Sequence, residues 1–418
     1  MQALELLMPA GSVTKLEMTL EYGADAVYLG PPLYSLRARE NHFNQEELKK
    51  SIEYVHSKNK KAYMTLNIFA RNRKLKPLTA DIIEYAKMKP DAFIMSDPGL
   101  VMIAKEYAPS IPIHLSVQAN CMNWQSVKFW QQSLGVERVI LSRELSIQEI
   151  SEIKQRVPDV ELEAFVHGSI CIAYSGRCLL SSYMDKRDAN QGVCDNSCRE
   201  KYKVFEKDYY IQGLDEDDRQ LYQIDEDEHG TYVLNAKDLC MIEHLDKLVQ
   251  AGVISFKVEG RTKSEFYAAM VARSYKHALS DVLAGRTFNS KWLSELNKLT
   301  HRGYHTAFML NDPGAQGQNY ESSTKYNKSV QLLGVYKYDG VDIKNKVCIG
   351  QKVEIITPQN ETILDEVVSI TSRTGEQLNE VHSGRGIFNV ILKRTPSLPQ
   401  YAMLLSVTNE NNERGNRE

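Results

Sequence analysis

The feature that most limits how this chain can fold is an alternation. Over the first 170 positions, short apolar runs and amphipathic stretches follow one another at intervals of roughly 20 to 35 residues. Residues 4–8 form a strand-like run that stops at Pro9-Ala10-Gly11. The next stretch places Val13, Leu16 and Leu20 at helical spacing, with Ser12 as N-cap and Gly23 as stop. Further strands are expected at 26–29, 62–68, 92–95, 113–117, 138–141 and 162–166, with helical patterns such as 48–56 and 125–134 between them. An eighth strand at 254–258 precedes a helix over 264–279. Alternating βα units imply a parallel sheet, and eight of them predict an α/β fold of the (β/α)8, TIM-barrel-like type. An open doubly wound sheet is the alternative, disfavoured because Pro9-Ala10-Gly11-Ser12 is not a GxGxxG phosphate loop.

The interval between the seventh and eighth strands holds almost 90 residues, far more than one crossover needs. It carries two acidic runs, Asp215-Glu216-Asp217-Asp218 and Asp225-Glu226-Asp227-Glu228, which read as a solvated loop or hairpin and would repel phosphates. From about residue 329 the pattern becomes short β-branched segments, at 330–335, 352–356, 367–370, 388–392 and 403–407, separated by turn signals such as Asp339-Gly340. The expected organisation is a barrel domain over 1–310 with a Cys-rich insertion at about 168–250, a linker over 311–328, a small all-β barrel over 329–408 and a disordered tail over 409–418.

A net charge of −3 gives no global attraction to nucleic acid, so RNA binding would need a local basic surface. No apolar run approaches a membrane span, and the first residues lack a basic n-region, so a cytoplasmic protein with reduced thiols is expected. Five of the seven cysteines fall between positions 171 and 240. In a reducing compartment such clustering points to metal or redox chemistry. The gaps of six, fifteen, three and forty-one residues contain no Cys-x-x-Cys, which argues against paired zinc knuckles. Spacing alone leaves an iron–sulfur cluster, zinc and unligated thiols all open.

The stretch Glu163-Ala164-Phe165-Val166-His167-Gly168-Ser169-Ile170-Cys171, continued by Gly176-Arg177-Cys178-Leu179-Leu180-Ser181, resembles the signature of the collagenase-like peptidase family U32, E-x-F-x-x-G-S-I-C-x4-G-x-C-x-L-S. Leu7-Met8-Pro9-Ala10-Gly11, Ser35-Leu36-Arg37-Ala38-Arg39, Gln118-Ala119-Asn120 and Lys257 with Glu259-Gly260-Arg261 are similar to that family as well. Length and layout resemble its tRNA-hydroxylating group, which implies prephenate-dependent formation of 5-hydroxyuridine at the tRNA wobble position. The resemblance also implies a 4Fe–4S cluster held by Cys171, Cys178, Cys194 and Cys240, with Cys198 as the alternative ligand.

The family name implies peptide hydrolysis, but the chain has no G-x-S-x-G elbow and no His-Glu-x-x-His. Cys171 and His167 can be drawn as a thiol–imidazole pair, although a cluster would consume that thiol. Hydroxylating a pyrimidine needs a redox group that side chains do not supply. A non-enzymatic cluster-bearing scaffold is a third reading. Barrel sites lie at the C-terminal strand ends, here Asn67, Asp97, Gln118, Arg143, Glu144, His167, Glu259 and Arg261. Asp97 also reads as a helix cap, Gln118 and Asn120 suit a base edge or loop backbone, and Arg143 and Arg261 suit carboxylates or phosphates. Arg37, Arg39, Arg199, Lys201, Lys325 and Lys328, with Tyr320 and Tyr326 for stacking, are the candidate RNA contacts.

Overall fold

A computed structural model describes residues 4–36, 43–171, 173–178, 210–212, 221–223, 225–227, 230–232, 236–311, 313–319, 330–359, 361–395 and 397–407. The first seven expected strands form as β1 (Glu5–Pro9), β2 (Ala26–Leu29), β3 (Lys61–Leu66), β4 (Ala92–Met95), β5 (Ile113–Leu115), β6 (Arg138–Ile140) and β7 (Glu161–Gly168). In the long interval, β8 (Tyr210–Gln212) pairs antiparallel with β9 (Leu221–Gln223), and β10 (Asp225–Asp227) with β11 (Gly230–Tyr232). A further short strand, β12 (Asp238–Cys240), precedes the eighth expected strand, β13 (Val253–Val258). Strands β1 to β7 run in parallel order, and β13 pairs in parallel with both β1 and β7. The eight strands therefore close into the predicted barrel.

Helices α1 (Val13–Glu21), α2 (Gln45–Ser57), α3 (Asn72–Lys87), α4 (Pro98–Tyr107), α5 (Trp124–Leu134) and α6 (Ile147–Arg156) alternate with these strands. Their starts are written in the sequence. Ser12 caps α1, while Asn44 with Glu47 and Ser146 with Glu149 form reciprocal capping boxes on α2 and α6. The strands are buried on both faces, which explains their nearly continuous apolar runs. After β12 come α7 (Leu245–Gln250), α8 (Glu265–Leu283) and α9 (Lys291–Asn297), the last followed by β14 (Tyr304–His305).

Of the strands outside the expected set, two shape the mouth of the barrel. β12 adds antiparallel to β7, with Leu239 opposite Gly168 and Cys240 opposite His167. β14 then adds parallel to β12. Both are too short to show a period in sequence.

The C-terminal strands are β15 (Leu332–Lys337), β16 (Gly340–Ile343), β17 (Val347–Cys348), β18 (Lys352–Ile356), β19 (Thr362–Thr371), β20 (Gln377–Leu378), β21 (Glu380–Val381), β22 (Ile387–Leu392) and β23 (Met403–Ser406). Six of them, in the order β18-β23-β15-β16-β22-β19, close antiparallel through a β18–β19 pairing. Five of those six match the expected segments. β16 does not, because it begins inside the Asp339-Gly340 turn and is only four residues long.

The two barrels touch extensively. Val335, Ile356, Tyr401, Met403 and Leu405 belong to the core cluster of the first barrel. The buried Tyr22 hydroxyl lies 2.9 Å from the carbonyl oxygens of both Ile356 and Tyr401. Lys298–Glu354 and Lys344–Glu265 add ion pairs of 2.7 Å. Most of the expected linker, the whole expected tail and the acidic run at 215–218 lie outside the described residues. Among those described, no helix is long and apolar enough to cross a membrane.

Candidate functional site

The interior of the first barrel is charged. Glu163 on β7 accepts from Lys257 Nζ at 2.8 Å and lies 3.3 Å from Arg138 Nη1. The Ser255 hydroxyl sits 3.0 Å from both Glu163 and Glu5. Glu5 also pairs with Arg138 and accepts from the Tyr63 hydroxyl at 2.7 Å. Burial works to raise the Glu5 carboxyl, but Arg138 and the Tyr63 hydrogen bond outweigh it and hold the group below its ordinary value. Burial lowers Lys257 against the opposing pull of Glu163. His114 is kept neutral by burial and by the neighbouring Arg138 and Lys257 charges. Of these interior groups only Glu163 and Lys257 stood in motifs quoted from the sequence, although a charged residue in a strand buried on both faces must point somewhere dry.

Above this layer, cations crowd two aromatic rings. Lys257 Nζ is 4.3 Å from the Tyr28 ring, and the Arg143 guanidinium is 4.0 Å from the Phe165 ring. Arg261, only 4% exposed, donates to Ser35 Oγ at 2.8 Å and lies 5.8 Å from Tyr28. Arg143 donates to Ser169 O at 2.7 Å, and its other terminal nitrogen is 4.0 Å from the Glu259 carboxylate. Arg143, Arg261, Glu259 and Lys257 are thus gathered at the C-terminal end of the barrel.

Other strand-end residues have backbone work to do. Asp97 caps α4 through Gly99 N and Leu100 N and also accepts from Ala70 N at 3.0 Å. Asn67 accepts from Leu36 N at 3.1 Å, and Asn120 accepts from the Ser142 hydroxyl at 2.7 Å. Glu144 accepts from Ser142 and from Ser175 N at 3.1 Å, which ties the segment after Cys171 to the β6 end. Gly176 presses the same segment onto Gln118: it adopts φ +74°, and a Cβ there would collide with the Gln118 carbonyl. Gly168, at φ +104°, is equally close to the Glu259 carbonyl. Both signature glycines are therefore explained by close backbone approach.

His167 is fully buried, ringed by Tyr267, Tyr275 and Tyr304, and burial pushes its imidazole down to about 3. Its Nδ1 faces the Tyr275 hydroxyl at 3.3 Å. This side of the ring is already taken, against the drawing of His167 as the base for Cys171.

Three cysteines lie on elements at the same end of the barrel. Cys240 is buried on β12 opposite His167, and burial pushes its thiol up to about 11. Cys171 is exposed three residues beyond Gly168, and Cys178 is partly exposed at the end of the clamped segment. Ser169, just before Cys171, is held by Arg143, Arg302 and Asp238. Burial works to raise Asp238, but Arg302 holds it below its ordinary range. Cys194 and Cys198 lie outside the described residues, as do Arg37, Arg39, Arg199, Lys201, Tyr320, Lys325, Tyr326 and Lys328. Among the described residues no three His, Cys, Asp or Glu side chains are grouped to hold a metal ion. In kind the donors suit a sulfur-ligated metal: a buried thiol on β12 and two more on the segment that follows β7.

The profile of Peptidase family U32 matches residues 11–319. A relative from Escherichia coli named tRNA hydroxylation protein P is 44% identical over 392 residues, 85% of this chain and 86% of its own length. A collagenase from Porphyromonas gingivalis is 29% identical over 388 residues, 88% of this chain and 89% of its own. A solved structure titled as the U32 peptidase Mk0906 covers 62% of this chain and 93% of its own at 15% identity and a TM-score of 0.40. With a family profile spanning all of the first barrel but β1, the chain belongs to peptidase family U32.

Proposed function

We propose that this chain is a tRNA-modifying enzyme that hydroxylates uridine at the wobble position, with prephenate as co-substrate and a thiolate-bound 4Fe–4S cluster as its redox group. The observation that carries the reading is the 44% identity to a tRNA hydroxylation protein over 85% of this chain. Such a protein would work in the cytoplasm, where tRNA is found. Cys171, Cys178, Cys194 and Cys240 would hold the cluster, with Cys198 as the alternative ligand. When bound, such a cluster supplies single electrons that side chains do not.

The chain's own residues set the surroundings. Arg143 and Arg261 present guanidinium groups suited to carboxylates, and Glu259 and Ser169 fix the orientation of Arg143. Glu144 and Gly176 hold the Cys171–Cys178 segment against the barrel. Asp238 and Arg302 anchor its first residues. A clamp on each side of the loop limits its freedom and so favours one arrangement of thiols.

Nucleoside mass spectrometry of tRNA from a strain lacking this protein, and any redundant enzyme, tests the reading. Loss of 5-hydroxyuridine derivatives is expected, and an unchanged level overturns it. Anaerobically purified protein should be brown and carry iron with acid-labile sulfide; colourless protein with stoichiometric zinc overturns the cofactor. Cys171→Ala, Cys178→Ala and Cys240→Ala should each lose most of the iron and the modification in cells.

The collagenase relative supports a second reading, peptide hydrolysis. It predicts cleavage of denatured collagen that survives removal of the metal. A scaffold role predicts instead that purified, iron-loaded protein with tRNA, prephenate and reductant gives no turnover.

A further inference from the structure

The hydroxyl of Tyr275, on α8, is buried among more polar neighbours than it can serve. It lies 2.8 Å from Val166 O, 3.3 Å from Met241 N, 3.3 Å from His167 Nδ1 and 3.7 Å from Cys240 Sγ. A phenol has one hydrogen and two lone pairs. Val166 O only accepts and Met241 N–H only donates, so these two take the hydrogen and one lone pair. A single lone pair then remains for two neighbours, the Cys240 thiol and the His167 ring.

A sulfur that carries a metal has no hydrogen to donate. The contact with Tyr275 is then favourable only as O–H···S, with the hydroxyl hydrogen turned from Val166 O towards the sulfur. Nothing is orphaned by that turn. Val166 O keeps the Met241 N–H, which donates to it directly at 2.8 Å. The lone pairs of Tyr275 stay with Met241 N–H and with a hydrogen on His167 Nδ1. Both orientations of the hydroxyl are therefore fully satisfied, which is what a buried group serving two ligation states of a neighbour needs.

We propose that Tyr275 is a positioning residue for Cys240, its hydroxyl hydrogen-bonding to the Cys240 sulfur when that sulfur ligates a metal–sulfur group. The proposal rests on the cluster reading above. Its first consequence is geometric: a ligand thiolate on a three-residue strand is aimed from the side by a rigid ring on a long buried helix. Its second is electronic, because a hydrogen bond to a ligating sulfur draws charge from it and raises the reduction potential.

The test compares wild-type protein, Tyr275→Phe and Tyr267→Phe after anaerobic iron and sulfide loading. Tyr267 is a buried control on the same helix, whose hydroxyl donates to Glu259 O at 2.8 Å. Tyr275→Phe should show a lower midpoint potential in an EPR-monitored redox titration and faster loss of iron to a chelator. Tyr267→Phe should match wild type in both. Because Tyr275 also bonds Val166 and Met241, its loss threatens folding, so a second variant keeps the hydroxyl. Site-specific 3-fluorotyrosine at position 275 makes the phenol a stronger donor and should raise the potential. Unchanged potentials in Tyr275→Phe, or in the fluorinated protein should the Phe variant not fold, overturn the proposal and leave the cluster reading standing. Wild-type protein that takes up no iron overturns both.

Discussion

The two barrels of this chain solve the same packing problem in opposite ways. The antiparallel barrel fills its interior with Val341, Ile343, Val353, Ile355, Val367, Ile370, Phe388 and Leu404, all apolar and buried. The parallel barrel places Glu5, Arg138, Glu163, Ser255 and Lys257 among its buried residues. Apolar filling gives stability from burial and close packing, with little dependence on any single direction. Buried charges bear a desolvation penalty that only good geometry offsets, so each member depends on all the others. The charged interior lies directly beneath the cations of the barrel mouth, and that is where such directional interactions have a use. One barrel is a scaffold, and the other holds groups in fixed orientation for chemistry.

The sharpest way to break this contrast is to remove one charge from the network. Glu163 is completely buried and answers both Arg138 and Lys257. Glu163→Ala leaves two cations without their shared partner and should cost about 3–5 kcal/mol. Urea unfolding followed by tryptophan fluorescence reads this barrel alone, because Trp124, Trp130 and Trp292 all lie on its helices. The matching change in the apolar barrel, Ile355→Val, should cost about 0.5–1.5 kcal/mol, measured by hydrogen exchange in β18 and β19. Equal costs at the two sites would remove the distinction.

An effect between these two is expected at the seam. Arg273 on α8 is fully buried, 3.2 Å from Glu295 and 3.2 Å from Thr362 Oγ1 of β19, so it links the barrels through one guanidinium. Arg273→Ala should cost about 3 kcal/mol, at the low end for a broken buried pair, because Glu295 retains Lys298 at 3.3 Å. It should also separate the fluorescence and hydrogen-exchange transitions, which would otherwise coincide. Coincident transitions in this variant would show that apolar contact alone couples the barrels.

The same contrast explains what was legible in the sequence. Eight parallel strands showed clearly because burial on both faces demands long apolar runs, and Ser12 marked the first helix start, whereas the capping boxes at Asn44 and Ser146 emerged only with the fold. The signature glycines were visible as a pattern, but the close approaches of Gly168 to Glu259 and of Gly176 to Gln118 needed the fold. β12 and β14 were invisible because three- and two-residue strands carry no periodicity. Without β12, nothing set Cys240 beside His167 or drew attention to Tyr275. Asp97 showed its capping role in sequence as an Asp at a strand end, whereas Glu144 gave no hint that it would reach Ser175.

The finest test of the comparison is its response to acid. His114 sits in the charged barrel, edge-on to Tyr63 with ring centroids 4.8 Å apart. Burial first, then the Arg138 and Lys257 charges, lower its folded pKa well below the ordinary 6.5. The unfolded chain therefore binds a proton near pH 6.5 that the folded chain refuses. Stability then falls as pH drops below that point, at up to about 1.4 kcal/mol per pH unit from this residue alone. Glu5, whose folded pKa is lowered, adds a loss of the same sign only further down, below about 4.5. His114→Phe keeps the aromatic contact and cannot titrate, so between pH 6.5 and 5 its unfolding free energy should fall less steeply than that of wild type. Among the described residues the second barrel buries no histidine, its His382 being exposed, so exchange protection in β18 and β19 should lack this midpoint. Parallel pH slopes for His114→Phe and wild type would mean that other histidines of the first barrel, such as His167 and His305, carry the acid response.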